Sequence, residues 1–168
     1  MKRLMLGLLL CGTAVAGEQA AAPVGMVVEE RGAAGMVMEI TFKTHATPER
    51  VWEAIATGPG LAQWAAPAAY VDLRPGGAYE LYYKPDAPAG KRGMEGNKVL
   101  AFVPGRMLGY SGGLPDTWAV YLIERHSGRT QVTFLAMGTH PDWKGKISEH
   151  APGVTAFVQR LANHLAQP

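Results

Sequence analysis

A single cysteine, Cys11, is all that the 168 residues contain, and it directly follows the apolar run near the N-terminus. A disulfide scaffold is therefore excluded. Charge is also scarce: 18% of residues are charged, sixteen basic against fourteen acidic, for a formal net charge of +2. Beyond the extreme N-terminus there is no long apolar run, which excludes a polytopic membrane protein. What is abundant is apolar sequence, 48% of the residues, so a chain too polar to build a core is excluded as well. Glycine and proline are frequent but scattered, without a collagen-like period.

Met1-Lys2-Arg3 precedes the apolar run Leu4–Leu10 and the small-residue stretch Ala14-Val15-Ala16. This is the succession of a secretory signal, read here as residues 1–16 with cleavage after Ala16. An uncleaved anchor and a lipid-bearing Cys11 are the alternatives, the latter disfavoured by the bulk of Leu10. Cleavage removes Lys2, Arg3 and Cys11. The remaining side chains then balance in charge, with no electrostatic case for nucleic acid or an anionic membrane. A thiol-free chain suits an oxidising compartment, so the expected location is periplasmic or secreted.

Residues 17–35 read as an Ala-rich leader followed by a possible first strand over Val24–Glu30. A domain follows over residues 36–168. Met36, Met38, Ile40 and Phe42 alternate with more polar neighbours, a strand signal, and the two strands suit a hairpin. Thr47 is placed to cap a helix with Pro48 at its first position and Glu49 in its first turn. Gly58-Pro59 is read as its stop, with one more helical turn over Leu61–Trp64. Strands are then expected at Tyr70–Leu73, Ala78–Lys84, Asn97–Val103, Met107–Ser111, Trp118–Arg125 and Thr130–Met137, with a loop over Pro85–Gly93. Thr139–Glu149 reads as a polar loop. Val154, Phe157, Val158, Leu161 and Leu165 then mark a final amphipathic helix. This order gives an α+β fold: a curved antiparallel sheet wrapped around a long C-terminal helix, with two short helices near the N-terminus.

Catalytic signatures are sparse. Ser111, Ser127 and Ser148 sit in no Gly-x-Ser-x-Gly elbow, and Gly76-Gly77 and Gly112-Gly113 open no helix. His140, Asp142, Glu149 and His150 are near one another in sequence but lack a fixed metal-ligand spacing, so no metal is expected. Glu95 and Asp116 are candidate acids at a cavity mouth, though solvated carboxylates are the commoner case.

The stretch Ala46–Ile55, then Gly60-Leu61-Ala62-Gln63-Trp64, Asp72–Gly77 and Asn97–Leu108 together resemble the Hsp90-ATPase-activator-homologue-like branch of the START/Bet v 1-like superfamily (SRPBCC) over roughly residues 36–165. The resemblance implies a helix-grip fold with a largely apolar cavity between sheet and C-terminal helix. It implies activities ranging from lipid and hormone carriage to polyketide cyclisation. The strand before the last helix often carries a polar residue in this superfamily. Ala136 stands there in this chain, which weighs against catalysis.

Strand alternation puts Tyr79, Leu81 and Tyr83 on one face, Trp118, Val120 and Leu122 on another strand's face, and Val132, Phe134 and Ala136 on a third. The expected ligand-lining set is Tyr79, Leu81, Tyr83, Trp118, Val120, Phe134, Phe157 and Leu161. The competing expectation is that these side chains fill the core and leave no cavity. Trp52 and Trp64 are expected to pack helices. The functional expectation is non-catalytic binding of a small, neutral, lipophilic molecule without a cofactor. The alternative is a polyketide-cyclase-type enzyme acting on a cavity-bound aromatic or polyketide-like substrate. The Hsp90 partner of the name-giving proteins is cytosolic, so an exported chain is not expected to meet it.

Overall fold

The structure, a computed structural model, describes residues 24–167. The signal segment, its cleavage site and most of the leader lie outside them. Strand β1 (Gly25–Glu30) and strand β2 (Met36–Thr44) form the expected antiparallel hairpin across a single 3-10 turn at Gly32–Ala34. Thr47 caps helix α1 (Pro48–Ala56), its hydroxyl accepting the Arg50 N–H at 3.3 Å.

Gly58-Pro59 does more than end this helix. Thr57 caps a second helix, α2 (Gly58–Ala62), and Pro59 sits in its first turn, where no N–H is needed. Strands β3 (Ala68–Val71), β4 (Tyr79–Tyr82) and β5 (Gly93–Met94) make a small antiparallel sheet, β5 falling at the end of the expected loop. Strands β6 (Val99–Val103), β7 (Met107–Ser111), β8 (Thr117–His126) and β9 (Arg129–Gly138) complete a six-stranded sheet in the order β1-β2-β9-β8-β7-β6. An Ala78–Lys98 bridge and the Tyr79 N–H to Asn97 carbonyl bond (2.9 Å) continue the curve into the small sheet. Ser127 and Gly128, at φ 48° and 80°, form the tight turn between β8 and β9.

The largest correction concerns the C-terminus. Thr139–Glu149 is not a loop. Helix α3 runs from Pro141 to Ala166, capped by His140, whose Nδ1 accepts the Asp142 N–H at 3.2 Å. Pro152 lies inside it, although an interior proline costs a helix about 3 kcal/mol. Burial of Trp143, Ile147 and Ala151 on the N-terminal half offsets that cost, and Val158, Leu161, Ala162 and Leu165 bury the other half. The helix lies in the concave side of the sheet against Met38, Ile40 and Phe42, giving the α+β helix-grip fold.

A second correction concerns β8. Tyr121 pairs with Phe134, and Ala119 with Ala136, so Ala119, Tyr121 and Ile123 face the core. Trp118, Val120 and Leu122 belong to the other face, one residue out from the expected register, although Trp118, at the start of the strand, still borders the cavity at that end of the sheet. Both alternating sets on this strand are apolar, so no polar face was present to fix the choice.

Candidate functional site

An apolar concavity lies where the ends of β7, β8 and β9 approach the N-terminal half of α3. It is a cavity of about 250 Å³. Tyr110, Phe134 and Ala136 come to it from the sheet, and Trp143, Val154 and Phe157 from the helix. Met94, Leu114, Met137 and Trp118 complete the apolar wall. The loop Gly112–Asp116 forms one lip. It is pinned by the Gly112 N–H to Thr117 carbonyl bond (2.7 Å) and by the Thr117 hydroxyl donating to the Leu114 carbonyl (2.6 Å). Gly112 itself is required, because a Cβ there would lie 2.2 Å from the Thr117 hydroxyl oxygen. His150, exposed, reaches the cavity with its ring stacked on Trp143 at 5.7 Å and 17°. The Trp143 indole is held from behind by its N–H bond to the Met36 carbonyl (2.9 Å).

An aromatic row backs this cavity: Tyr79 on Tyr110 (4.2 Å), Tyr110 by Tyr121 (6.2 Å), Tyr121 by Phe134 (4.8 Å), Phe134 by Phe157 (6.2 Å) and Phe157 by Trp64 (4.9 Å). The Tyr79 hydroxyl donates to the Ile55 carbonyl at 2.9 Å. The buried Tyr121 hydroxyl has no hydrogen-bond partner; the Tyr110 hydroxyl is close enough to affect its ionisation but does not complete a bond. Burial pushes Tyr79, Tyr110 and Tyr121 above the ordinary tyrosine range, so all three are un-ionised. Among the described residues, no three His, Asp or Glu side chains converge on a metal-sized site.

Of the expected lining residues, the structure brings Trp118, Phe134 and Phe157 to the cavity. Tyr79, Leu81 and Leu161 are fully packed in the core behind it, at 1%, 0% and 0% exposure. Tyr83 is exposed at the outer edge and reaches the site only through Met94, its hydroxyl 3.4 Å from the sulfur. Val120 sits on the face of the sheet opposite Phe134. Trp52 tilts against Phe102, while Trp64 is buried with its N–H on the Ala54 carbonyl (2.9 Å); both pack helix against neighbour.

Trp143, His150 and Val154 were not anticipated as lining residues. Their signal was present nonetheless: Trp143, Ile147, Ala151, Val154, Val158, Leu161 and Leu165 recur at helical spacing straight through Pro152.

The family model described as "Activator of Hsp90 ATPase homolog 1-like protein" matches residues 45–166. No curated protein matches the chain. Among solved structures, protein NE0264 from Nitrosomonas europaea superposes with a TM-score of 0.64 at 19% identity, covering 78% of this chain and 94% of that one. The Aha1 dimer from Colwellia psychrerythraea gives 0.62 at 17% identity, with 78% and 96% covered. CalU16 from Micromonospora echinospora gives 0.59 at 18% identity, with 86% and 91% covered. At these identities the likeness is one of fold. With the family match spanning most of its length, the chain belongs to the Activator of Hsp90 ATPase homolog 1-like family, within the SRPBCC helix-grip proteins.

Proposed function

We propose that the protein binds a small, neutral, lipophilic molecule in the cavity between sheet and α3, and does so without catalysing a reaction on it. The observation that carries this reading is the wall. Apart from His150 and Thr117, the side chains that line it are aromatic, aliphatic or thioether, with Tyr110 neutral. Such a wall compensates no buried charge, and an unpaired ion would lose several kcal/mol on entering it. Size narrows the ligand. An apolar cavity of roughly 150 Å³ admits benzene, so about 250 Å³ suits a compact molecule of one or two rings or a short chain.

His150 is the observation that favours the alternative, an enzyme of polyketide-cyclase type. It is the single imidazole against the cavity. Its exposure and its stacking on Trp143, with no carboxylate orienting it among its hydrogen bonds, favour a rim contact over a general base.

The sequence pattern of residues 1–16 supports a place in the periplasm or outside the cell, away from a cytosolic Hsp90. Native mass spectrometry of protein from its own envelope fraction tests the reading. The expected spectrum has a chain beginning at Gly17 with a small neutral adduct. A chain beginning at Met1, or carrying lipid on Cys11, contradicts export and cleavage. An adduct lost from a chain whose cavity is intact contradicts the binding site.

A further inference from the structure

The two edges of the six-stranded sheet differ. Beyond β6, the Ala78–Lys98 bridge and the Gly76 N–H to Val99 carbonyl bond (2.8 Å) extend hydrogen bonding into the small sheet. Beyond β1, no strand follows among the described residues, and every residue of β1 is exposed. Yet the centre of β1 is Met26-Val27-Val28, exposed at 46%, 54% and 38%. Met26 stands opposite Ile40 and Val28 opposite Met38, both fully buried. The apolar concave face therefore runs out past β2 and ends uncovered. Alongside it α3 presents small side chains, Ser148, Ala151, Thr155 and Ala156, that leave a groove next to Met26 and Val28.

We infer that β1 pairs with β1 of a second copy of this chain, antiparallel about a two-fold axis through Val27, joining the two sheets into one. An antiparallel register must match residues whose hydrogen-bonding groups point the same way, so sequence numbers of opposed residues sum to an even value. The register centred on Val27 opposes Val27 to itself and Met26 to Val28. It sets Glu29 against Gly25, and Glu30 against Val24. The three central apolar residues meet one another, and no two carboxylates are opposed. The acidic end is already paired within each copy, where Arg31 bridges Glu29 and Glu39 and Lys144 reaches Glu30 at 2.9 Å.

With the axis perpendicular to the sheet, the partner's strand sets its even-numbered side chains on the same face, over the groove beside α3. The chain's own preceding segment is a poorer occupant. Gly17-Glu18-Gln19-Ala20-Ala21-Ala22-Pro23 has no β-branched or aromatic residue and ends in proline. A closed two-fold pair also removes the exposed edge that would otherwise template open-ended association.

Sedimentation velocity on the purified protein across the micromolar range tests this. A dimer is expected. Val27→Lys sets two ammonium groups on the axis and is expected to weaken the dimer by more than about tenfold, with an unchanged circular dichroism spectrum. Independently, opposed residues in such a pair have Cα atoms within disulfide range, about 4.4–6.8 Å. Val27→Cys, combined with Cys11→Ala, is therefore expected to cross-link two copies on mild oxidation, while Glu29→Cys in the same background does not. A monomer at every concentration overturns the inference, as does a dimer indifferent to Val27→Lys. Cross-linking through Glu29→Cys but not Val27→Cys overturns the register. A monomer whose β1 amides resist hydrogen exchange assigns the edge to the chain's own leader and overturns it too.

Discussion

Two buried tyrosines show how much a single hydroxyl depends on its partner. Tyr79 and Tyr121 are both inaccessible, but Tyr79 donates to the Ile55 carbonyl while Tyr121 has no partner. Removing a bonded hydroxyl loses that bond and leaves a buried carbonyl short, whereas removing an unpartnered one relieves a desolvation cost. Tyr79→Phe is therefore expected to destabilise by about 1–2 kcal/mol. Tyr121→Phe is expected to be neutral or stabilising by up to about 1 kcal/mol. Urea denaturation of the two variants checks the pair, and the ordering matters more than either value. A Tyr121→Phe loss as large as that of Tyr79→Phe would mean that a partner of Tyr121 has been missed.

At the scale of elements, α3 carries most of the account. Its apolar stripe has only the concave face of the sheet to bury against, and Leu161 at its centre is fully inaccessible. Leu161→Ala is expected to cost about 2–5 kcal/mol, read from the shift of the urea midpoint. A cost below about 0.5 kcal/mol is the range of surface substitutions and would contradict the packing.

The last turn of α3 adds a pH dependence. There the Thr44 hydroxyl donates to the Leu165 carbonyl (3.2 Å), and the Arg50 guanidinium to the Gln167 carbonyl (2.6 Å). Burial, and then the Arg50 charge, hold the His164 imidazole below its ordinary value of 6.5. As pH falls through 6.5 the unfolded chain takes up this proton before the folded one does. Stability therefore declines below that pH and levels off once the folded His164 also protonates. His164→Gln is expected to flatten this part of the curve of thermal midpoint against pH; an unchanged slope would assign the dependence to other groups.

What could be seen of these elements in the sequence follows from how local their signals are. The cap at Thr47, the turn after β8 and the strand β7 rest on adjacent residues and were legible. The first half of α3 was hidden behind Pro152-Gly153 and Gly145, residues that break isolated helices but are tolerated where Trp143 and Ile147 gain a buried face. The face of β8 was hidden for a different reason. With Trp118, Val120 and Leu122 set against Ala119, Tyr121 and Ile123, only pairing with β9 decides which side is inside.

For the whole molecule, the sheet's curve and the length of α3 leave an apolar cavity where α3 begins. At the other end Leu161, Ala162 and Leu165 close against Ile40, Phe42 and Val51 in a filled core. That is why three of the eight residues expected to line the site, Tyr79, Leu81 and Leu161, are packed in the core behind the cavity. The site is the part of the grip where α3 begins, and the misread first half of that helix concealed it. Arg160 on the same helix lies over the Phe157 ring at 5.4 Å, but it is exposed and forms no part of the wall.

If the cavity takes a neutral apolar molecule, as proposed, a charge on a competing ligand weakens its binding. Displacement of an environment-sensitive apolar dye by a short fatty alcohol and by its ionised acid tests it most directly, with Ala136→Phe as the control that fills the cavity. The alcohol is expected to compete better than the acid by about tenfold or more, equal to about 1.4 kcal/mol. Ala136→Phe is expected to abolish dye binding while the protein stays folded. An acid that wins by the same margin, or dye binding untouched by Ala136→Phe, would contradict the proposal.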